Sequence, residues 1–199
     1  MQNYRPEEAQ APEAKAVLRF WFGEPPQYGT ALKRWFAKDP EFDAQVRSLF
    51  EPLHERLAAG GNMQWIGQRG DCLAYIIALD QFPRNIFRDT ARAFASDALA
   101  LRAARNAVAA GFDRDLLAVE RLFIYLPFQH SEALEDQLRS CALYEPLLSF
   151  PETADVYRYA LAHRDIVKRF GRFPHRNAAL ARDSTPEEIA FLKESGSSF

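Results

Sequence analysis

The chain has 199 residues, of which 48% are hydrophobic and 26% are charged. This composition is typical of a globular protein with a buried core and excludes a disordered or low-complexity chain. Lysine and arginine number 25 against 27 aspartate and glutamate residues, so the formal charge of -2 creates no overall field that would attract nucleic acid or an anionic membrane. Any electrostatic function must therefore come from a local cluster of charges.

The first residues contain no basic stretch followed by an apolar one, and no apolar run approaches the roughly 20 residues that a membrane-spanning helix needs. We therefore expect a cytoplasmic protein without a membrane segment. Cys72 and Cys141 each lie within a helical pattern and outside any C-x-x-C pair, which favours two reduced, buried thiols. Because no segment resembles a linker, we expect one domain over residues 1–199, with frayed tails at 1–6 and 195–199.

Apolar residues recur three and four positions apart along most of the chain, a period typical of amphipathic helices. In chain order, helices are predicted over residues 7–22, 40–59, 71–82, 97–110, 116–128, 132–148, 154–170 and 186–194. Helix 71–82 is apolar on every side, so we expect it at the centre of the molecule. Thr185 followed by Pro186 and Glu188 is a capping box that begins the last helix.

Two of these helices have predicted inner faces and caps that a structure can check. In helix 97–110 the inner positions are expected to be Leu99, Leu101, Ala104 and Val108, with Ser96 as the N-terminal cap. In helix 132–148 the inner face is expected to carry Leu134, Leu138, Cys141 and Leu148. Both faces follow from the apolar period alone.

No segment shows sustained two-residue alternation between turn residues, so the sequence predicts an all-α fold. Short turns join the helices, which favours stacked antiparallel helix hairpins in a tetratricopeptide-like array. In such an array helices 71–82, 116–128 and 154–170 run parallel, because neighbours alternate in direction. Their C-terminal ends should therefore lie at one edge of the molecule.

Three polar clusters follow these three helices. The clusters are Asp80, Gln81, Arg84 and Asn85; Gln129, His130 and Glu132; and Arg169, Arg172, His175, Arg176 and Asn177. Each turn also contains Phe-Pro or Pro-Phe, which provides a rigid apolar wall. We therefore expect Arg84, His130 and at least one of Arg172, His175 and Arg176 to line a common pocket.

Residues 163–176 contain five arginine or lysine residues against one acid, and arginine is well suited to phosphate or carboxylate. The candidate ligand-binding residues are Arg84, Asn85, Gln129, Arg169, Arg172, Arg176 and Asn177. In an enzyme, His130 or His175 is the candidate general acid or base, oriented by Asp80 or Glu132. His163 lies on an apolar stripe and is interpreted as a core histidine.

The same clusters have a purely structural interpretation. Arginine and histidine side chains at helix C-terminal ends can cap unpaired carbonyls, and Asp80 can be a buried carboxylate neutralised by one arginine. A ligand site and a scaffold network therefore both remain open. Neither a metal nor a cofactor is predicted, because no metal-binding spacing, P-loop, G-x-S-x-G or G-x-G-x-x-G motif is present.

The favoured function is binding of a small anionic ligand, carrying phosphate or carboxylate, at the shared helix edge. The alternative is a peptide or protein interaction module without catalytic activity, because stacked hairpins often present grooves. RNA binding ranks third, since one basic stretch in a chain of charge -2 is a weak electrostatic signal. The sequence leaves the oligomeric state open.

Three long motifs carry a resemblance to a known family. They are Asp80-Gln-Phe-Pro-Arg-Asn-Ile-Phe-Arg88, Tyr125-Leu-Pro-Phe-Gln-His-Ser-Glu132 and Arg169-Phe-Gly-Arg-Phe-Pro-His-Arg-Asn177. With them the chain resembles a bacterial family catalogued as domain of unknown function 924, nearly from end to end. The resemblance implies a tetratricopeptide-like helical fold, but it implies no activity, substrate or catalytic residue.

Overall fold

The computed structural model describes residues 9–24, 26–30 and 33–197. Within these residues there are nine α-helices and no strand, which confirms the predicted all-α class. The helices are α1 Pro12–Phe22, α2 Pro40–Ala58, α3 Arg69–Asp80, α4 Phe82–Ile86, α5 Asp97–Ala109, α6 Ala118–His130, α7 Leu134–Tyr144, α8 Val156–Phe170 and α9 Pro186–Phe191. None of the described helices has both the length and the apolar character needed to cross a membrane.

Helix α3 lies at the centre of the molecule, as its continuous apolar character predicts. Every residue from Gly70 to Asp80 is buried. The helix packs against α1, α2, α5 and α6, so no face of it is left for solvent. Because α3 is held on all sides, its C-terminal end at Asp80 has a fixed position from which a site can be built.

The helices after α3 pack in an order that agrees with stacked hairpins. Helix α5 contacts both α3 and α6, α7 contacts both α6 and α8, and α3 and α8 each also contact α6. Gly171 ends α8 with a φ of 70°, a left-handed conformation that glycine adopts without a Cβ clash. The finer tetratricopeptide-like assignment stays a prediction.

Helix α6 continues through Pro127 to His130, beyond the predicted end at 128. This extension places His130 in the last turn of the helix, where its ring is fixed by the helix backbone.

The predicted capping box at the start of α9 is confirmed. Thr185 Oγ1 accepts a hydrogen bond from the backbone N–H of Glu188, and the Glu188 carboxylate accepts one from the N–H of Thr185.

The predicted inner face of α7 is largely wrong. Leu134, Leu138 and Leu148 are exposed, and the buried residues are Asp136, Gln137, Ser140, Cys141 and Tyr144. The polar face of α7 is buried because it makes hydrogen bonds to the end of α6. Gln137 Nε2 donates to the backbone oxygens of Gln129 (2.7 Å) and Ser131 (2.6 Å). Satisfying buried carbonyls at this turn decides which face of α7 turns inward.

The predicted cap and inner face of α5 also need correction. The Ser96 side chain makes no cap but donates to the backbone oxygen of Leu79 at 2.6 Å, which joins α5 to the end of α3. The fully buried positions are Ala100, Ala103, Ala104 and Ala107, whereas Leu99, Leu101 and Val108 are only partly buried. Small alanine side chains face α3 because they allow the two helices to approach closely.

The predicted single domain stays a prediction. The predicted N-terminal tail at 1–6 and the first two residues of the predicted helix 7–22 lie outside the described residues, as do residues 198 and 199. The described part of that helix begins at Pro12.

Candidate functional site

A cavity of about 470 Å³ lies beside the C-terminal ends of α3 and α6, the first half of α8 and the segment that follows α8. Members of all three predicted polar clusters line it, namely Arg84, Asn85, Gln129, His130, His175 and Arg176. The structure therefore confirms that Arg84, His130 and members of the third cluster line one pocket. The roles of these residues in binding or catalysis stay predictions.

Asp80 and His130 form a buried pair behind the cavity wall. Asp80 is fully buried, and its Oδ1 accepts a hydrogen bond from His130 Nδ1 at 2.8 Å while its Oδ2 accepts one from Gln81 Nε2 at 2.7 Å. Asp80, from the first polar cluster, is therefore bonded directly to His130 of the second. Because a carboxylate only accepts, Nδ1 carries the imidazole proton and Nε2 keeps its lone pair.

The surroundings of this pair set its charge. Burial, the largest influence on the pKa of Asp80, acts to raise it, but attraction by His130 and Arg84 and the hydrogen bonds from His130 and Gln81 together hold that pKa below its usual range. Burial and then the charge of Arg84 lower the pKa of His130 despite the neighbouring carboxylate. At neutral pH the pair is therefore an ionised carboxylate that orients a neutral imidazole, an arrangement suited to a general base.

Arg84 is well supplied with acceptors. Its guanidinium donates two hydrogen bonds to the Asp97 carboxylate, at 2.8 and 3.0 Å, and a third to the backbone oxygen of Asp80. The paired geometry with Asp97 is the one in which an arginine fork and a carboxylate fit best. Arg84 therefore acts as a cap for the end of α3 and as the partner of Asp97.

Among the described residues, Arg176 has fewer hydrogen-bond acceptors than Arg84. Its side chain is only 7% exposed, and among the described residues its one carboxylate contact is a long one, 3.5 Å from Nη1 to Asp97 Oδ2. Its Nε is buried and has no hydrogen-bond partner among the described residues. The guanidinium lies over the rings of Phe173 (4.5 Å) and Phe94 (4.8 Å), which hold it in place without accepting its N–H groups as a carboxylate would.

The buried and half-buried charges at this site balance. Arg84 and Arg176 are matched by Asp80 and Asp97, and the histidines add nothing at neutral pH. Burial first, and then the charge of Arg176, lower the pKa of His175 to about 4, and burial lowers that of His163 to about 3. The site is thus a neutral set of charges in which one cation, Arg176, has no carboxylate closer than 3.5 Å among the residues that the structure describes.

Other predicted site residues lie away from this cavity. The Glu132 carboxylate accepts two hydrogen bonds from Arg182 (2.7 and 2.9 Å) and one from the backbone N–H of Phe173 (2.8 Å). Arg172 makes a paired contact with Glu188 at 2.7 and 2.8 Å. These bonds tie the segment after α8 to α6 and α9, so Glu132 and Arg172 contribute to the fold and do not line the cavity.

Two further residues of the third cluster belong to the same structural network. Asn177 donates to the side chain of Ser184 at 3.0 Å, and exposed Arg169 pairs with Glu187 at 2.9 Å. The basic stretch 163–176 therefore does not act as one anion-binding surface. Of its arginines, the structure brings Arg176 to the cavity.

Sequence reasoning missed one charged residue that supports the cavity lining and several residues that line it. Asp97, at the start of α5, is the partner of Arg84, but an acid in the first turn of a helix is ordinarily explained by the helix dipole. Trp35, Phe94 and Tyr144 form aromatic parts of the wall. His163 is buried as predicted, with Nδ1 2.8 Å from the backbone oxygen of Tyr159, yet it also lines the cavity.

Within the part of the chain that the structure describes, no group of three or more histidine, cysteine or acidic side chains is placed to hold a metal ion. Cys72 and Cys141 are both buried and unbridged. Burial raises the pKa of the Cys72 thiol to about 12, with a contribution from Asp71, so this thiol is unreactive at neutral pH.

Comparisons with known proteins agree with this architecture. A model of bacterial proteins of unknown function (DUF924) matches residues 17–196. The chain belongs to the DUF924 family. A solved structure of a protein of unknown function, ATU0120 from Agrobacterium tumefaciens, is 39% identical, with a TM-score of 0.83 over 94% of this chain and 100% of that chain. No curated protein matches the chain.

Proposed function

We propose that this DUF924 protein binds a small organic anion in the cavity between α3, α6 and α8, with Arg176 holding a carboxylate or phosphate group. The observation that carries the proposal is the buried guanidinium of Arg176, whose Nε has no partner among the described residues and whose nearest carboxylate oxygen is 3.5 Å away. A buried donor left unsatisfied costs about 1–3 kcal/mol, and more when it is charged. An anionic ligand would remove that cost.

The walls of the cavity support a ligand with an apolar body. Trp35, Phe94 and Tyr144 provide aromatic surface beside Arg176, and the volume of about 470 Å³ is within the range of small-molecule sites. Phe36 and Tyr159 also line the cavity and are 64% and 45% exposed, which places apolar surface close to solvent. An aromatic or aliphatic monoacid combines the two features that this cavity offers.

The alternative, a peptide or protein interaction module, receives less support. A peptide groove would present its polar and aromatic groups along an open face. Here the charged groups at the centre of the site are buried: Asp80 is fully buried, and Arg176 and His130 are nearly so. Such depth favours a small ligand over an extended chain.

Titration calorimetry with benzoate and phenylphosphate tests this proposal, with neutral benzamide as the uncharged control. We expect wild type to bind at least one of the two anions and to bind benzamide at least tenfold more weakly. R176Q, which removes the charge but keeps a polar side chain, should lose at least tenfold in affinity. R169Q removes an exposed arginine of the same segment and should bind as wild type does.

Two results would contradict the proposal. One is the absence of binding of both anions by folded wild type at millimolar concentration. The other is equal affinity of wild type and R176Q, which would mean that the anion binds elsewhere. Far-ultraviolet circular dichroism and thermal melting show whether each variant is folded before it is titrated.

A further inference from the structure

We infer that His130 takes up one proton when the anion binds, so that the ligand is bound together with a proton and His130 Nε2 becomes a donor to its anionic group. The inference rests on the proposed anion site. It adds a second ligand-binding residue, a preference for a monoanion, and a dependence of binding on pH. Three observations support it: the balance of buried charges, the position of His130, and its bond to Asp80.

The balance of charge makes a proton necessary. In the ligand-free site Arg84 and Arg176 are matched by Asp80 and Asp97, as the pairing distances show. A monoanion placed beside Arg176 would leave one uncompensated negative charge next to the buried Asp80 carboxylate, which is costly where the surroundings are of low polarity. One added proton restores neutrality. A dianion would need two protons, so the site favours a monoanion.

His130 is the group best placed to accept that proton. Its Nδ1–H is already bonded to the ionised Asp80 carboxylate at 2.8 Å, so protonation at Nε2 gives an imidazolium with a negative partner on one side. A bound anion in the cavity would supply a negative partner on the other side. His130 lies between the buried Asp80 carboxylate and the cavity, so negative groups on both sides can stabilise its imidazolium form.

The other titratable groups around His130 are less suited. The groups that face it are Asp80 on α3, Arg84 on α4, Asp97 on α5, His163 on α8, and His175 and Arg176 after α8. His175 is adjacent to Arg176, whose charge opposes a second cation. His163 Nδ1 is bonded to a backbone carbonyl, so its imidazolium would lack the carboxylate that stabilises His130. Asp80 is held ionised by Arg84 and its two hydrogen bonds.

Calorimetric titration of wild type with benzoate, in two buffers of different ionisation enthalpy, counts the protons taken up. Benzoate is the probe because a carboxylate stays ionised between pH 6 and 8 and cannot take up the proton itself. We expect close to one proton per benzoate near pH 7.5. By linkage, benzoate affinity should rise towards tenfold for each unit by which pH falls in this range.

The variants H130Q and H54Q identify the group. H130Q should bind benzoate more weakly than wild type does at pH 7.5, with no proton uptake and with an affinity that is flat in pH. H54Q is the matched control, because His54 is also buried but bonds to the backbone oxygen of Ala78 and does not line the cavity. It should keep the uptake of wild type.

The outcomes separate this inference from the proposed function. Benzoate binding without proton uptake in wild type overturns the inference and leaves the anion site standing, as does uptake that persists in H130Q. Absence of benzoate and phenylphosphate binding overturns both. Should H130Q fail to fold, D80N serves instead: it leaves the site with one net positive charge, so benzoate should bind without proton uptake, and persistent uptake would refute the charge argument.

Discussion

Replacing Arg176 with methionine should stabilise the ligand-free protein. Burial, followed by the charge of Arg84, lowers the pKa of Arg176 from 12.5 to about 10, so the folded protein disfavours the charged form. Each pKa unit corresponds to about 1.4 kcal/mol, which makes the cost of holding this charge about 3 kcal/mol. For a base with a lowered pKa, that cost is fully present below pH 10 and disappears as pH rises towards 12.5.

Methionine removes this cost but also removes favourable contacts. The cation–π contacts with Phe94 and Phe173 are worth about 1–2 kcal/mol together, whereas the methionine stem keeps most of the apolar packing. Asp97 keeps its paired contact with Arg84. We therefore expect R176M to be more stable by about 1–2 kcal/mol, and to gain roughly 2–4 °C in Tm for each kcal/mol.

Urea and thermal denaturation of ligand-free protein at pH 7 measure this change. The matched control is R172M, since Arg172 makes a paired contact with buried Glu188 and its loss leaves that carboxylate without its arginine. R172M should be less stable than wild type. If R176M is also less stable than wild type, Arg176 is a structural arginine like Arg172, and the case for a ligand at this position fails.

Two further predictions concern the core and the histidines. Leu79 is fully buried in α3, so Leu79→Ala should lower the free energy of unfolding by about 2–5 kcal/mol in urea denaturation, and a loss below about 0.5 kcal/mol would contradict its central position. Burial lowers the pKa of His163 to about 3 in the folded protein. As pH falls below about 6.5, the unfolded state therefore binds a proton that the folded state does not. The contribution of His163 should make the free energy of unfolding fall by about 1.4 kcal/mol per pH unit between pH 6 and 4. Nuclear magnetic resonance should show the His163 ring neutral throughout that range, and its protonation near pH 6 would refute the prediction.

The sequence predicts the architecture well because the relevant signals are local. The all-apolar run in α3 identifies the central helix, and the short turns between helices predict that α3 and α6 end beside one cavity. The expectation is wrong for α8, because its first half lines the cavity and its C-terminal end does not. Helix direction therefore predicts that Arg84 and His130 share the cavity, and the return of the chain after α8 adds Arg176. These inferences need no knowledge of which side chains meet.

The partners of individual side chains could not be predicted, because they depend on contacts between distant segments. The third cluster divides, so that His175 and Arg176 line the cavity while Arg172 pairs with Glu188, which is 16 residues further along the chain. Asp97 pairs with Arg84 across a turn. The inward face of α7 was predicted wrongly because Gln137 and buried carbonyls outweigh the apolar period.

The surroundings of this cavity are unfavourable for an anion unless arginines offset the partial charge of the backbone. The C-terminal ends of α3 and α6 lie beside the cavity, and their partial negative charges would attract cations and repel a carboxylate. Arg84 offsets one of these ends directly, because it donates to the backbone oxygen of Asp80 and has Asp97 as its carboxylate partner. Arg176 has no such acceptor within 3 Å among the described residues. The structural and ligand-binding interpretations therefore apply to different arginines of the same edge: capping explains Arg84, and it leaves Arg176 to be explained by an anion.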